Sequence, residues 1–270
     1  MQPFEWGPLL HRGPLFLGIL NITPDSFSDG GRFLDPAAAV AHAAELAAAS
    51  AGMLDLGAES TRPGAAPLDP EEEWTRLAPV LAHLHREYPG LPLSLDTRHA
   101  AVAARALEAG IAVLNDVTGF SDPAMCELAR TTACGLIAMR SRRAGEGFLM
   151  PPYDDEGPAT ADRAIGELAE TRDRLLAAGI PASRILLDPG FGFGTTFAED
   201  RALWEALPTL PERLEWPADR ICLGISRKRF LAWRSGNPGL PPLQRDGLTA
   251  AAHAEAFSWG YRVFRSHTIG

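Results

Sequence analysis

The sequence predicts an α/β fold, a (β/α)8 TIM barrel, from three observations. Short apolar runs alternate with stretches rich in Ala and Leu whose apolar residues recur at helical spacing. No low-complexity linker or change of composition divides the chain, so residues 1–270 are predicted to form a single domain. A chain of 270 residues that is 46% hydrophobic can bury a complete core, and this length is ordinary for a barrel. Strand-like runs separated by helices favour a closed barrel over an open sheet.

The predicted strands are the apolar runs themselves. In chain order they are LFLGIL (15–20), MLDLG (53–57), LSLD (93–96), IAVLN (111–115), GLIAM (135–139), RILLD (184–188), ICLGI (221–225) and YRVF (261–264). Residues 1–13 precede the first run. We expect them to be a short N-terminal extension that covers the barrel bottom as a lid or a short hairpin.

The predicted helices lie between these runs. DPAAAVAHAAELAAAS (35–50) has Pro36 at a favoured first helical position. Further helical patterns cover 69–88, 99–110 and 162–179, and several end at a glycine. The chain as given ends just after the eighth strand, so the eighth helix is expected to be missing from it. A barrel without that helix is expected to expose apolar surface on its first and last strands.

The composition argues against several kinds of partner. The 25 Lys and Arg and 34 Asp and Glu give a formal net charge of −9, and no basic stripe suits a nucleic-acid backbone. No apolar segment is long enough to cross a bilayer, and residues 1–18 lack the features of a signal peptide. The 3 cysteines are scattered without a CxxC pair, as in a reducing compartment. We therefore predict a soluble cytoplasmic protein that binds neither nucleic acid nor membrane.

Nearly every predicted strand ends in a residue that could bind a ligand or do chemistry. These residues are Asn21, Asp55 with Glu59, Asp96, Asn115 with Asp116, Arg140, Asp188, Ser226 with Lys228, and Arg265 with His267. In a (β/α)8 barrel the C-terminal ends of all strands meet at the mouth that holds the active site. Any one Asp or Asn there could instead cap a helix or make a turn. So many ends together favour a functional site.

Lys228 is the only lysine of the chain, because every other member of the 25 Lys and Arg residues is an arginine. It lies in GISRKRF (224–230), between two arginines. A lysine ammonium is compact, whereas a guanidinium is a broad planar fork, so charge alone does not explain lysine at this position. Asparagine is also rare, and two of its occurrences, Asn21 and Asn115, follow apolar runs. Chance explains one rare residue, but together we interpret them as markers of a site.

A set of segments, taken in order, resembles the dihydropteroate synthase family. They are LNITPDSFSDGG (20–31), GAESTRPGA (57–65), SLDTR (94–98), LNDVTG (114–119), LDPGFGFG (187–194), LGISRKRF (223–230) and RSH (265–267). The first two are highly specific to that family. GFGFG by itself is weak evidence, because it has the spacing of neither a dinucleotide loop nor a P-loop. The resemblance runs from about Gly18 to His267.

The resemblance implies a condensation in folate biosynthesis. p-Aminobenzoate displaces pyrophosphate from 6-hydroxymethyl-7,8-dihydropterin pyrophosphate, and the product is 7,8-dihydropteroate. We expect pyrophosphate to leave before the amine attacks, with no protein nucleophile. The resemblance also implies a homodimer.

The resemblance further assigns residues to each substrate. The pterin ring is expected to contact Asp96, Asn115, Met139 and Asp188, whose carboxylates and amide suit its donor edge. The aryl-amine pocket is expected to contain Thr61, Pro63, Phe193 and Ser226, with Lys228 between the amine and the pterin. The pyrophosphate is expected to contact Arg62, Arg265 and His267.

Mg²⁺ is the expected cofactor, because this hard cation takes oxygen ligands and commonly shares them with substrate phosphates. By the resemblance, the side-chain carbonyl of Asn21 is a ligand, and Asp29 assists when the first loop closes. The residues expected to take part in catalysis are Asn21, Asp96, Asp188, Lys228, Arg265 and His267.

Three positions depart from the family pattern. The family usually has His where this chain has Arg140, Lys where it has Thr195, and an acidic residue where it has Thr268. The first two are expected to alter the shape of the pterin pocket or the start of a helix. The third is expected to alter the support of His267.

Two alternatives share much of this pattern. A pterin-binding methyltransferase has the same barrel and the same Asp–Asn–Asp pocket, and a paralogue could bind pterin without turnover. ESTRPGA and SRK argue against the methyltransferase, since the resemblance assigns these segments to pyrophosphate and amine binding. Asn21, Arg265 and His267 argue against the inactive paralogue, because the groups that bind the leaving group are retained.

Overall fold

The computed structural model describes residues 3–11, 13–22, 36–59, 67–144, 147–148 and 160–269. Eight strands within these ranges form one sheet. They are β1 (Leu15–Asn21), β2 (Met53–Gly57), β3 (Leu93–Asp96), β4 (Val113–Asp116), β5 (Gly135–Met139), β6 (Ile185–Asp188), β7 (Cys222–Leu223) and β8 (Val263–Ser266). Every predicted strand is therefore present.

The strands form a barrel. Their order is β6-β5-β4-β3-β2-β1-β8-β7, and each neighbouring pair is parallel. A parallel bridge between Leu187 and Ile221 brings the two ends of the sheet together. A small antiparallel hairpin, Arg143–Ala144 with Gly147–Phe148, follows β5. The predicted (β/α)8 barrel is confirmed.

Ten α-helices lie within the described residues, and all except α1, which precedes β1, lie between successive strands in the chain. They are α1 (Gly7–Leu10), α2 (Pro36–Ala48), α3 (Pro70–Glu87), α4 (Ala100–Glu108), α5 (Pro123–Thr131), α6 (Asp162–Ala177), α7 (Phe197–Ala206), α8 (Leu210–Arg213), α9 (Arg229–Arg234) and α10 (Asp246–Ser258). Local sequence fixes where several begin. Asp69 and Asp122 accept backbone N–H bonds at the starts of α3 and α5, each before a proline at the first helical position. Among the described helices, none is long and apolar enough to cross a membrane.

Strand alternation gives the barrel an apolar bottom and a polar mouth. Leu15 and Leu17 of β1 and Val263 of β8 belong to a buried cluster at the N-terminal ends of the strands. Side chains alternate between the two faces of a strand, so Asn21 and Arg265 share the inward face with these residues, nearer the C-terminal ends. The fold thus places polar groups at the mouth on top of an apolar floor.

The N-terminal segment covers the bottom of the barrel with a short helix, α1, and not with a hairpin. Trp6 is fully buried in the cluster that fills the barrel bottom. Its Nε1 donates to the carbonyl of Arg184 at 2.9 Å, and its backbone N donates to the carbonyl of Ser183 at 3.3 Å. The backbone N of Phe4 donates to the carbonyl of Ala133 at 2.8 Å. The predicted lid is correct, and the alternative of a hairpin is wrong.

The last strand differs from its prediction in two ways. β8 runs to Ser266, so Arg265 lies within the strand and not beyond it. Its apolar outer surface is covered, since Phe264 is only 1% exposed, and the expectation of an exposed surface there is wrong. His253 of α10 packs against Phe264 and Phe16, with ring centroids 4.8 and 5.8 Å away. No helix follows β8 among the described residues, which end at Ile269.

Candidate active site

The inward-facing polar residues at the C-terminal ends of the strands form one cluster around Arg265. Its Nε donates to Asp55 Oδ2 at 2.5 Å, and its Nη2 donates to Asp96 Oδ2 at 2.6 Å. Asn115 Nδ2 donates to the same Asp55 oxygen at 3.0 Å. Residues from β2, β3, β4 and β8 are thereby joined in one hydrogen-bond network at the mouth.

Burial gives this cluster unusual electrostatics. Burial alone would lower the pKa of Arg265, but the charges of Asp55 and Asp96 outweigh it and keep the guanidinium protonated. Burial raises the pKa of Asp96, the positive charge of Arg265 opposes that rise, and the charge of Asp55 adds to it. Asp55 is fully buried, and its Oδ1 has no hydrogen-bond partner within the described part of the chain. Poorly solvated carboxylates of this kind favour a ligand that brings N–H donors.

Asp188 lies at the end of β6, on the other side of the mouth. Its Oδ1 accepts a 2.8 Å hydrogen bond from the backbone N of Gly190. Burial raises its pKa, against the backbone bond and the charge of Lys228. A side chain at position 224 would crowd it, since a Cβ added to Gly224 would lie 3.0 Å from Asp188 Oδ2. Gly224 therefore leaves this carboxylate room.

Lys228 lies over the ring of Phe193, with Nζ 4.1 Å from the ring centroid. Burial lowers its pKa to about 8, although the charges of Asp188 and Asp200 oppose the change. Contact with an aromatic face is favourable for a cation. The unique lysine thus has the environment of a functional group at the mouth and not of a solvated surface charge.

Ser226 and His267 form a pair beside this lysine. The backbone N of His267 donates to Ser226 Oγ at 3.1 Å, and His267 Nδ1 lies 3.0 Å from the same oxygen. Burial, together with the positive charges of Arg227 and Arg265, lowers the pKa of His267 to about 3. The imidazole is therefore neutral near pH 7 and acts as a hydrogen-bonding group, not as a cation.

The structure brings most of the predicted site residues to one mouth. Those in direct contact with another predicted residue, or with Asp55, are Asp96, Asn115, Phe193, Ser226, Lys228, Arg265 and His267. Met139 is buried at the end of β5, where it is the register partner of Asp188. Asn21 ends β1 on the inward face. Asp29, Thr61, Arg62 and Pro63 lie outside the described residues.

Asp55 belongs to the site, although the sequence predicts for it only a place at a strand end and no contact with a substrate. The structure places it where Arg265 and Asn115 meet. A carboxylate in the middle of the fully buried strand MLDLG was the available signal, because such a group needs a partner.

Other polar residues at strand ends have local roles, as the alternative interpretation predicted. Asp116 accepts hydrogen bonds from the backbone N of Thr118 at 2.7 Å and of Phe120 at 2.8 Å, so it shapes a turn. Glu59 forms a two-bond ion pair with Arg98, with both distances 2.8 Å. These two acidic residues stabilise loops around the mouth.

Comparison with known proteins agrees with this geometry. Residues 17–267 match the family model of the pterin binding enzymes. Dihydropteroate synthase of Mycobacterium leprae is 39% identical over 256 residues, which cover 92% of this chain and 87% of that protein. Its counterpart in Neisseria meningitidis serogroup C is 38% identical over 260 residues, covering 95% of this chain and 88% of that protein. The chain belongs to the dihydropteroate synthases of the pterin-binding enzyme family.

Solved dihydropteroate synthases share the fold. The structure of the Xanthomonas albilineans dihydropteroate synthase with 4-aminobenzoic acid has a TM-score of 0.82 and 37% identity, and the match covers 95% of this chain and 88% of that one. The Burkholderia cenocepacia dihydropteroate synthase complexed with 7,8-dihydropteroate has a TM-score of 0.77 and 34% identity, and the match covers 95% of this chain and 86% of that one. Both the sequence and the barrel therefore place the chain among dihydropteroate synthases.

Proposed function

We infer that this chain is a transferase that condenses 6-hydroxymethyl-7,8-dihydropterin pyrophosphate with p-aminobenzoate to give 7,8-dihydropteroate and pyrophosphate. The observation that carries this function is the buried network in which Arg265 joins Asp55 and Asp96, with Asn115 attached and Lys228 nearby. Such a network suits a flat, donor-rich ring. The ligands named for the Xanthomonas and Burkholderia enzymes, 4-aminobenzoic acid and 7,8-dihydropteroate, are one substrate and the product of this reaction.

The pterin ring is proposed to bind at Asp96, Asn115 and Asp188, with Met139 beside it. Burial raises the pKa of both carboxylates, which means that their charged forms are poorly solvated in the free protein. The amino group and ring N–H of a pterin would supply the donors that water does not. Arg265 keeps a positive charge against Asp96 while the ring is bound.

Lys228 is proposed to lie between the pterin and the aryl amine. Its Nζ sits above Phe193 and within the field of Asp188. From that position a compact ammonium could donate to a ring nitrogen or carbonyl, where a guanidinium fork would need more room. This accounts for a single lysine in a chain whose other cations are arginines.

The aryl amine is proposed to bind over Phe193 and near Ser226, with Thr61 and Pro63 predicted to complete the pocket. The hydroxyl of Ser226 is buried and holds His267 in place. A substrate carboxylate that bound to Ser226 would compete for that hydroxyl. The amine site and the position of His267 are therefore proposed to be coupled.

The pyrophosphate is proposed to bind at His267 and Arg265, joined by Arg62 of the second loop. Since Ser226 Oγ accepts from the backbone N of His267, its own proton can go to Nδ1, which leaves Nε2–H as a donor to phosphate oxygen. This agrees with a neutral imidazole. The positive charge is left to the arginines.

Mg²⁺ is proposed as the cofactor, bound by Asn21 and Asp29. Within the described part of the chain, no three His, Cys, Asp or Glu side chains form a metal-binding group. Asn21 offers an amide oxygen at the mouth end of β1, and a magnesium ion that shares phosphate oxygens and keeps its waters needs few protein ligands. The residues present therefore fit such an ion, which when bound would neutralise charge on the leaving group.

The proposed reaction begins with loss of the leaving group. The bond between the exocyclic carbon and the pyrophosphate oxygen breaks, and its electron pair leaves with the pyrophosphate. The electron-rich dihydropterin spreads the resulting positive charge, which Asp96 and Asp188 stabilise from the ring side. The amine nitrogen then bonds to the exocyclic carbon and loses a proton.

Product analysis tests this function. Incubation with both substrates and Mg²⁺ should yield 7,8-dihydropteroate, detected by mass spectrometry, and none when p-aminobenzoate is left out. Pterin binding without any dihydropteroate would favour the methyltransferase or the inactive paralogue.

Calorimetry tests the proposed order of binding. p-Aminobenzoate should bind when pyrophosphate and a pterin are present, because loop closure around the leaving group completes its pocket. Binding of p-aminobenzoate to the free protein with equal affinity would contradict this order.

The homodimer stays a prediction, and light scattering after size exclusion should give twice the mass of the chain.

A further inference from the structure

Two of the three departures from the family pattern meet at the loop that carries Phe193. This loop, residues 190–196, is rich in glycine and lies between β6 and α7. Arg140 follows β5 and contacts the loop from one side. Thr195 lies within the loop, where its Oγ1 donates to Asp200 Oδ1 at 2.7 Å. The same Asp200 oxygen accepts from the backbone N of Gly192 at 3.1 Å.

The guanidinium of Arg140 joins the backbone around this loop to α6. Its Nε donates to the carbonyl of Pro189 at 2.8 Å, and its Nη2 donates to the carbonyls of Gly190 at 3.0 Å and Phe193 at 3.3 Å. Its Nη1 donates to Glu167 Oε2 on α6 at 2.9 Å. The residue is only 3% exposed, so water competes little for these carbonyls. A lysine has no fork that could donate along these three directions at once.

Arg142 holds the other end of the same loop. Its Nη1 donates to the carbonyl of Gly194 at 2.9 Å and to Glu199 Oε1 at 2.8 Å, and its Nε donates to Glu167 Oε1 at 3.1 Å. Glu199 also accepts from the backbone N of Thr196 and closes the capping box of α7. Arg140 and Arg142 therefore connect the loop to α6 and to the start of α7, and we call this pair of arginines the clamp.

The backbone of the loop is shaped to lie against these arginines. Gly190 and Gly194 have φ of +69° and +74°, which favour glycine. A Cβ on Gly190 would come within 1.9 Å of the carbonyl oxygen of Arg140, and a Cβ on Gly194 within 2.5 Å of Arg142 Cβ. There is no space between the loop and the segment 140–142. Displacement of either arginine would move the loop.

We propose that Arg140 and Arg142 are positioning residues that hold the glycine-rich loop so that Phe193 stays beneath Lys228, and that they thereby set the affinity for the aryl amine. The proposal rests on the proposed function, in which Phe193 lines the amine pocket. Arg140 donates to the carbonyl of Phe193 itself, so it contacts the backbone of a residue proposed to line that pocket. Of the proposed pterin residues, Asp96 and Asn115 belong to the network around Arg265, whereas Asp188 accepts a hydrogen bond from the backbone N of Gly190 at the start of the loop. The affinity for the pterin should therefore change less than the affinity for the aryl amine.

Steady-state kinetics of Arg140→Lys tests the clamp. The KM for p-aminobenzoate should rise by about tenfold or more, as expected for the loss of a charge-assisted hydrogen bond. The KM for the pterin pyrophosphate should rise clearly less, because Asp96 and Asn115 are held by the network around Arg265. Arg163→Lys is the matched control, because Arg163 pairs with the same Glu167 at 3.0 Å but is 64% exposed. It should leave both KM values unchanged. Equal rises of both KM values in Arg140→Lys, or none, would overturn the proposal.

Two further measurements separate the clamp from the proposed function. Hydrogen exchange in residues 190–196 should become faster in Arg140→Lys and not in Arg163→Lys, whatever the reaction is. Unchanged exchange would overturn the clamp. Phe193→Leu should raise the KM for p-aminobenzoate, and adding Arg140→Lys to it should raise that KM little further. An unchanged KM for p-aminobenzoate in Phe193→Leu would show that Phe193 does not line the amine pocket, which is part of the proposed function. The hydrogen-exchange experiment would still test whether Arg140 holds the loop.

Discussion

At the scale of single residues, Asp55 is the group on which the site network depends. It accepts from both Arg265 and Asn115, and it is fully buried. Asp55→Asn would leave the charge of Arg265 with a neutral partner. It would also put an amide N–H donor close to the N–H donors of Arg265 and Asn115. Breaking a buried ion pair by changing one partner costs several kcal/mol. Asp55 therefore contributes more to the geometry of the site than its place within the strand MLDLG indicates.

We predict that Asp55→Asn lowers kcat/KM for the pterin pyrophosphate by roughly 100-fold, which corresponds to about 3 kcal/mol. The reason is that Arg265 would no longer be held against Asp96. Asp173→Asn is the control, since Asp173 pairs with Arg172 on the surface and is 63% exposed. Steady-state kinetics of both variants, with circular dichroism to check folding, gives the answer. Equal activity of the two variants would contradict the role of Asp55.

The titration of Lys228 predicts how activity depends on pH. Because burial lowers its pKa to about 8, it is charged below that pH and loses its charge above it. We expect kcat/KM for the pterin pyrophosphate to fall as pH rises through about 8. Lys228→Arg should have lower activity but no such fall, because a guanidinium stays protonated. A pH–rate profile of both proteins tests this, and an identical alkaline fall in Lys228→Arg would show that another group titrates.

At the scale of elements, the strands could be predicted from the sequence better than their ends. Short β-branched and Leu-rich runs identify a buried parallel strand, but periodicity carries no information about where pairing stops. β8 continues to Ser266 because its backbone pairs with β1 as far as Gly18. The placement of Arg265 within the strand, facing Asp55, follows from this pairing and could not be read from one strand alone.

The N-terminal segment shows a second limit at this scale. A lid over the bottom was predictable, but its helical form was not, because α1 spans only Gly7–Leu10 and has too short a pattern to recognise. Tertiary packing of Trp6 against the strand starts fixes it. Likewise, the sequence does not indicate that His253 on α10 packs over the ring of Phe264.

We predict that Trp6→Ala lowers the free energy of unfolding by about 3–5 kcal/mol, because it empties a fully buried position and removes the hydrogen bond to Arg184. Glu5→Ala, at an exposed neighbouring position, should change it by less than about 0.5 kcal/mol. Urea denaturation measures both. The folded Trp6→Ala protein should keep its KM values, since the barrel bottom is remote from the mouth, and a specific loss of pterin affinity would contradict this separation.

At the scale of the whole molecule, the barrel explains why so much of the site could be predicted. Parallel strands bring their C-terminal ends to one mouth, so Asp96 and Asn115 are register partners there and Asp188 lies at the same mouth beside Met139, although these residues are far apart in the sequence. The contacts among them required coordinates, since Arg265 pairs with two carboxylates where the resemblance indicated only a pyrophosphate contact. The departures at Arg140 and Thr195 also have physical partners, namely the loop carbonyls and Asp200.

The central claim, that this mouth joins a pterin to an aryl amine with loss of pyrophosphate, is tested most directly by pyrophosphate release. The measurement follows release from the pterin pyrophosphate with Mg²⁺, with and without p-aminobenzoate, for the unmodified protein and for Lys228→Arg. We predict sustained release only with the amine, one pyrophosphate for each dihydropteroate formed, and a lower rate in Lys228→Arg. Pterin binding by the unmodified protein without amine-dependent release would contradict the claim.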